Sequence, residues 1–288
     1  MDIVFLNKTE ARKVLTTRDI FILSLSPFDR ASRFKTENSV SQNEFLYFLS
    51  KQALDWGSFE CTGVESILES IISKLNQYSL NFPKNISIVK TTGREEGNAA
   101  YCRGNSIILP QSLINTPYAL KNILTHELFH IYSKNNPKKR SELYNIIGFF
   151  DCPELEFPKE LKDLKITNPD APLINCYLED NEISVMPILY SNEPYNLKKR
   201  GDFFDYLEFR LLEVVIKKNS CEPCYKNGKL QLFRVDDIQS YLQKIGMNTD
   251  YIIHPEEILA ENFVLLLNNS KYIRNPEILE KIKGILTQ

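Results

Sequence analysis

Apolar residues recur at helical spacing in G-V-E-S-I-L-E-S-I-I-S-K-L, residues 63–75, and again in F-L-Y-F-L, which follows Ser41-Gln42-Asn43-Glu44. The first run predicts an amphipathic helix. The second predicts a helix over about residues 42–54, because Ser41 and Glu44 form a capping box at its start. The pattern then shortens: I-S-I-V-K at 86–90 and N-S-I-I-L-P at 105–110 read as strands. Between them T-T-G-R-E-E-G-N-A-A-Y-C-R-G-N carries Gly93, Gly97 and Gly104, which predicts a long hairpin or an irregular loop. It lacks the G-K-S/T end of a phosphate loop.

Thr116-Pro117 opens the next helix, with a capping hydroxyl before a proline at the first helical position. Leu120, Ile123, Leu124, Leu128 and Ile131 share its inward face, and Asn135-Asn136-Pro137 ends it. A further helix is expected from Pro137 to about Ile147, closed by Gly148. Its Lys138-Lys139-Arg140 reads as a solvated face from which Arg140 could pair with a buried acid. Residues 150–235 alternate, as in N-C-Y-L-E and I-S-V-M-P-I-L-Y, and predict antiparallel strands with long connections; F-D-Y-L-E-F-R-L-L-E fits strand or helix. Helical spacing returns in D-D-I-Q-S-Y-L-Q-K-I-G, from Pro255 to about Leu267, and from Pro276 onward. With no linker-like break, the expectation is one α+β domain over 1–288. Its parts are a helical N-terminal portion (1–80), a strand–strand–helix core (85–148), a strand-rich insertion (150–235) and C-terminal helices (236–288).

Composition narrows the function. The 288-residue chain is 43% hydrophobic, enough for a sizeable core, and its formal charge is −2. Without a basic surplus to neutralise phosphates, nucleic acid is not an expected partner. No apolar run reaches the length of a membrane span. The six cysteines are dispersed and the first residues carry no export signal, so they read as reduced thiols of a cytoplasmic protein. Cys221 and Cys224 form half of a zinc knuckle without its other half, and read as a tight turn.

The chemistry lies in N-I-L-T-H-E-L-F-H-I-Y-S, residues 122–133, which holds two of the three histidines. Residues four apart share one helix face, so His126 and His130 can converge on one ion rather than serve as core histidines. Glu127 is rotated about 100° from His126 and about 60° from His130, beside the ion but off it, where a carboxylate can take a proton from water. A catalytic zinc needs a third protein ligand. Pro255 starts a helix on which Glu257 and Glu261 lie four apart among apolar residues. Glu257 would bind zinc, and Glu261 would accept from the free nitrogen of a zinc histidine. Glu256 and His254 are alternative ligands, and His254 and Tyr251 are candidate hydrogen-bond donors to a developing oxyanion.

H-E-L-F-H resembles the zinc-binding helix of the zincin metallopeptidases. The two preceding strands resemble their N-terminal subdomain, in which an edge strand binds extended peptide; N-S-I-I-L-P would be that edge, the alternative being a plain core hairpin. Glu257-x-x-Ala260-Glu261 is similar to the E-x-x-A-D/E helix of the glutamate-ligand group, the gluzincins, with the bacterial lethal-factor-type peptidases most alike. The chain departs in the step of 127 positions (257 − 130) from His130 to Glu257, longer than in compact gluzincins. The resemblance implies a zincin-like α+β fold with a small mixed sheet, Zn2+ held by His126, His130 and Glu257, Glu127 as general base, and a peptide or protein substrate. A zincin-like binding protein without turnover, with Cys102 or His254 as a fourth ligand, is the reading from another class. A hydrolase of non-peptide amides is a third, although the cysteine motif of deformylases is missing.

Overall fold

The computed structural model describes residues 1–199 and 201–288. The chain is a mixture of helices and strands, whose described strands form a four-stranded sheet, a six-stranded sheet and a small two-stranded hairpin. β1 (Asp2–Phe5) is followed by α1 (Lys8–Leu15), α2 (Ile20–Ser24), α3 (Pro27–Phe34), α4 (Gln42–Ser50) and α5 (Ser58–Leu75). Ser41 and Glu44 do form the capping box that starts α4. The first sheet is completed by β2 (Asn85–Thr91), β3 (Tyr101–Arg103) and β4 (Ser106–Pro110), in the order β1-β2-β4-β3.

This order corrects two expectations. The N-terminal part is not purely helical, because β1 pairs in parallel with β2. Nor is N-S-I-I-L-P an edge: β4 lies between β2, to which it is parallel, and β3, to which it is antiparallel, and all five of its residues are buried. The segment 91–105 is a one-turn 3₁₀ helix followed by the true edge strand, β3. A near-continuous apolar run is what a parallel strand covered on both faces requires.

After α6 (Gln111–Ile114), α7 (Pro117–Asn135) carries the histidine pair and α8 (Pro137–Ile146) follows it. Proline at N1 starts α7 as expected, but Thr116 makes no side-chain cap; its hydroxyl turns back to the Leu113 carbonyl instead. The second sheet is antiparallel. It takes β5 (Phe149–Asp151), β6 (Cys176–Asp180), β7 (Ile183–Tyr190) and β8 (Glu208–Ile216), with β9 (Cys221–Pro223) beside β8. The ambiguous F-D-Y-L-E-F-R-L-L-E thus splits into a 3₁₀ turn over Phe203–Tyr206 and the strand β8. The hairpin β10 (Tyr225–Lys226) and β11 (Lys229–Leu230) precedes β12 (Leu232–Phe233), which pairs with β8.

The chain ends with α9 (Gln239–Ile245), α10 (Pro255–Leu267) and α11 (Pro276–Leu286). The main apolar cluster unites α5, the first sheet, α7, β5–β8 and α9–α11 through residues such as Leu68, Ile107, Leu128, Leu178 and Phe263. Within it α10 packs along α7, with Phe129 and Phe263 in ring contact at 5.5 Å. Burying side chains of this size stabilises by about 1.5–3 kcal/mol each, and that packing fixes the carboxylates of α10 against the imidazoles of α7. Among the described residues no helix is long and apolar enough to cross a membrane.

Candidate metal centre

Where α7 and α10 meet, one ligand atom each from His126, His130 and Glu257 falls within 4.8 Å of the others. Glu257 Oε2 is 3.0 Å from His126 Nε2 and 3.5 Å from His130 Nε2. Two ligands about 2.1 Å from an ion at the tetrahedral angle stand roughly 3.4 Å apart, so this spacing suits zinc. The far nitrogens are engaged as well. His126 Nδ1 donates to Glu261 at 2.8 Å, and His130 Nδ1 donates to Glu256 at 3.1 Å. Those bonds fix the ring orientations and direct both Nε2 atoms to the common point, as carboxylates behind metal-binding histidines do.

His130 Nε2 is buried and has no hydrogen-bond partner. A buried polar atom without a partner costs about 1–3 kcal/mol. A cation beside it would remove that cost, and the donor set of two imidazoles and a carboxylate fits Zn2+. Burial by itself would lower the His126 pKa, but the carboxylates of Glu257 and Glu261 outweigh it and raise it to about 9. Burial likewise opposes ionisation of Glu257, yet the His130 and His126 imidazoles hold its pKa well below the usual value.

Glu127 is buried on the same helix, and Cys102 Sγ of the edge strand lies 3.1 Å from its Oε2. Burial pushes the Glu127 carboxyl up to about 7; Asp170 adds to the rise, and the two imidazoles oppose it. A group that titrates near neutrality can both take and return a proton. Cys102, Glu127 and Asp170 form a second cluster of metal-capable atoms, surrounding this base rather than the imidazole nitrogens.

The segment 167–172 crosses the site. Asn168 Nδ2 donates to Glu257 Oε1 at 2.7 Å, and Asp170 Oδ1 accepts the Cys102 main-chain N–H at 2.8 Å. Lys134 Nζ lies 3.4 Å from the same Asp170 oxygen and 3.2 Å from the Cys102 carbonyl. The outward-facing main-chain groups of Cys102 in β3 are thus taken by side chains.

Of the residues singled out from the sequence, His126, Glu127, His130, Glu257 and Glu261 come together here. Glu256 does not bear on the common point: it accepts from His130, from Ser133 at 2.8 Å and from Tyr144 at 2.6 Å. Cys102 contacts the base, not the imidazoles, and so is not a fourth ligand to the His126–His130–Glu257 group. The structure also gives His254 a different role from ligand or oxyanion donor. It is the N-cap of α10, where Nδ1 accepts the Glu256 N–H at 3.1 Å while Nε2 faces Cys176 Sγ at 3.7 Å. Its pKa is lowered to about 4 by burial, which keeps it a neutral acceptor. The H-P-E-E order, a capping residue before proline at N1, was the signal for that role. Tyr251 is 42% exposed, with its ring 6.4 Å from that of His126. Asn168 and Asp170 were not singled out from the sequence. They stand in an Asn/Asp/Pro-rich stretch indistinguishable from a plain connection, and no spacing rule relates them to α7. No family model, no curated protein and no solved structure matches the chain.

Proposed function

We propose that the chain is a zinc-dependent metallopeptidase of zincin type, with His126, His130 and Glu257 holding the ion and Glu127 as general base. The observation that carries this reading is the buried, unpartnered His130 Nε2, turned with His126 Nε2 toward the Glu257 carboxylate while both Nδ1 atoms are anchored on other acids. A zinc ion held by these three residues would supply the Lewis acidity that polarises an amide carbonyl and acidifies water.

The side chains do the rest. Glu127 accepts the proton of the attacking water and delivers it to the departing amine, a task suited to a carboxyl near 7. Tyr251, at the mouth of the site, donates to the carbonyl oxygen as negative charge develops there. An extended substrate pairs with the edge strand β3 through the Cys102 main chain, in the manner of strand addition. It must first displace the Asp170 carboxylate from the Cys102 N–H. The same capped edge favours, as a second reading, a zincin-like protein that binds without turnover.

One variant separates the two. Glu127→Gln keeps about one zinc per chain, measured by plasma mass spectrometry. In a peptide-library digest it loses about 10²–10⁴-fold of the wild-type cleavage rate. Zinc-loaded wild type that cleaves nothing would leave the binding reading, and protein that takes up no zinc would end both.

A further inference from the structure

Beside the metal centre a cavity of about 300 Å³ opens between β3, α7, α8 and the segment 169–175. Its size is at the lower end for ligand pockets, about 300–1,000 Å³. Cys102 and Glu256 line it, so it abuts both the base and the carboxylate that orients His130. Ile20, Phe21, Pro172 and Leu173 give it apolar walls.

The charged groups facing this space are nearly all spent on one another. Arg103 commits Nε to Asp19, and its two terminal nitrogens to the Leu15 and Thr17 carbonyls. Lys134 and Asp170 pair with each other, and Glu256 is filled by His130, Ser133 and Tyr144. Arg140 is the exception. Its Nε is buried with no hydrogen-bond partner, and among the described residues no acid stands within ion-pair distance of it. The acid that the sequence suggested for it is missing. A guanidinium presents a planar fork of donors that matches a carboxylate two bonds at a time, and apolar walls strengthen such a pair by excluding water.

We propose that this cavity is a carboxylate subsite, with Arg140 as its anchoring cation. Through it the metal centre takes amide substrates bearing a carboxylate, as an acidic side chain or as a chain terminus. The substrate half of this statement rests on the peptidase reading; the anion-binding half does not.

The test follows the Arg140 Nε–H resonance in ¹⁵N NMR spectra of the intact chain, assigned by its loss in Arg140→Gln. Three probes are titrated: N-acetylglutamate α-amide, with a side-chain carboxylate; N-acetylglutamine, with a terminal one; and N-acetylglutamine amide, with none. The expected result is a saturable shift with one or both carboxylates and at least tenfold weaker response to the neutral probe. Which of the two charged probes binds tells side chain from terminus. A response equal for all three probes, a shift shared by other arginines, or no saturable shift would overturn the subsite. Cleavage of a peptide library is read in parallel. A responsive Arg140 with no cleavage by zinc-loaded protein would leave the subsite and end the peptidase reading. Cleavage indifferent to carboxylates with a silent Arg140 would do the reverse.

Discussion

Two buried polar clusters lie a few residues apart along the segment 167–170, and they are built on opposite principles. In the first, Arg33 is enclosed. Its Nε and Nη2 reach Glu96 at 2.8 and 2.5 Å, Nη1 reaches Asp29 at 2.6 Å, and Nη2 also reaches the Thr167 carbonyl. Asp29 in turn accepts from Ser26 and Thr167, and Phe203 lies under the guanidinium at 4.3 Å. The second cluster gathers Glu127, Asp170, Glu256, Glu257 and Glu261 around two imidazoles with Lys134 as a fixed cation, and leaves His130 Nε2 without a partner. The first is closed, each guanidinium nitrogen of Arg33 having an acceptor. The second is short of positive charge at a defined point. Buried polar groups that are fully satisfied hold a structure together, whereas an unsatisfied one calls for an explanation, of which a bound ion is one. The two are joined, because Thr167, clamped by Arg33 and Asp29, precedes the Asn168 that donates to Glu257.

The largest effect is expected from opening the closed cluster. Arg33→Met leaves Asp29 and Glu96 buried without their cation, and should cost about 3–5 kcal/mol in urea unfolding. A loss below about 1 kcal/mol would mean that the cluster is not what holds this segment. A buried acid with no partner at all sharpens the contrast. Neither oxygen of Glu95 has a hydrogen bond, and burial raises its pKa from 4.5 to about 7. The folded state favours the protonated form. Stability tied to Glu95 is therefore full below pH 4.5 and is lost as pH rises through 7, by about 3 kcal/mol. Glu95→Gln should lack that loss and be the more stable protein at pH 8, as thermal unfolding across pH would report; parallel profiles would contradict it. The smallest effect belongs to the open cluster. Glu261→Gln replaces the acceptor behind His126 and should weaken zinc binding about 10–100-fold in competition with a chelator. Equal zinc affinity would show that the ring is oriented by packing alone.

How far each feature could be read from the sequence follows the range of the physics behind it. His126, His130, Glu257 and Glu261 obey helical spacing, a local rule, so their shared faces were legible. That Glu257 rather than Glu256 faces the two Nε2 atoms depends on how α7 and α10 cross, which packing over long sequence distances decides. The interior position of β4 was signalled by its unbroken I-I-L run, which kept a core hairpin open beside the edge strand that the resemblance implied. Asn168, Asp170 and the empty-handed Arg140 acquire meaning only from their tertiary neighbours, and no local pattern marks them.

The proposed chemistry needs a cation between α7 and α10. Its most direct test is an anomalous-scattering map from crystals of the zinc-loaded chain, recorded at the zinc edge. The expected map has one strong peak bonded to His126 Nε2, His130 Nε2 and the Glu257 carboxylate. A map with no peak there, or with zinc held by Cys102 and Asp170 while both imidazoles remain unligated, would contradict it.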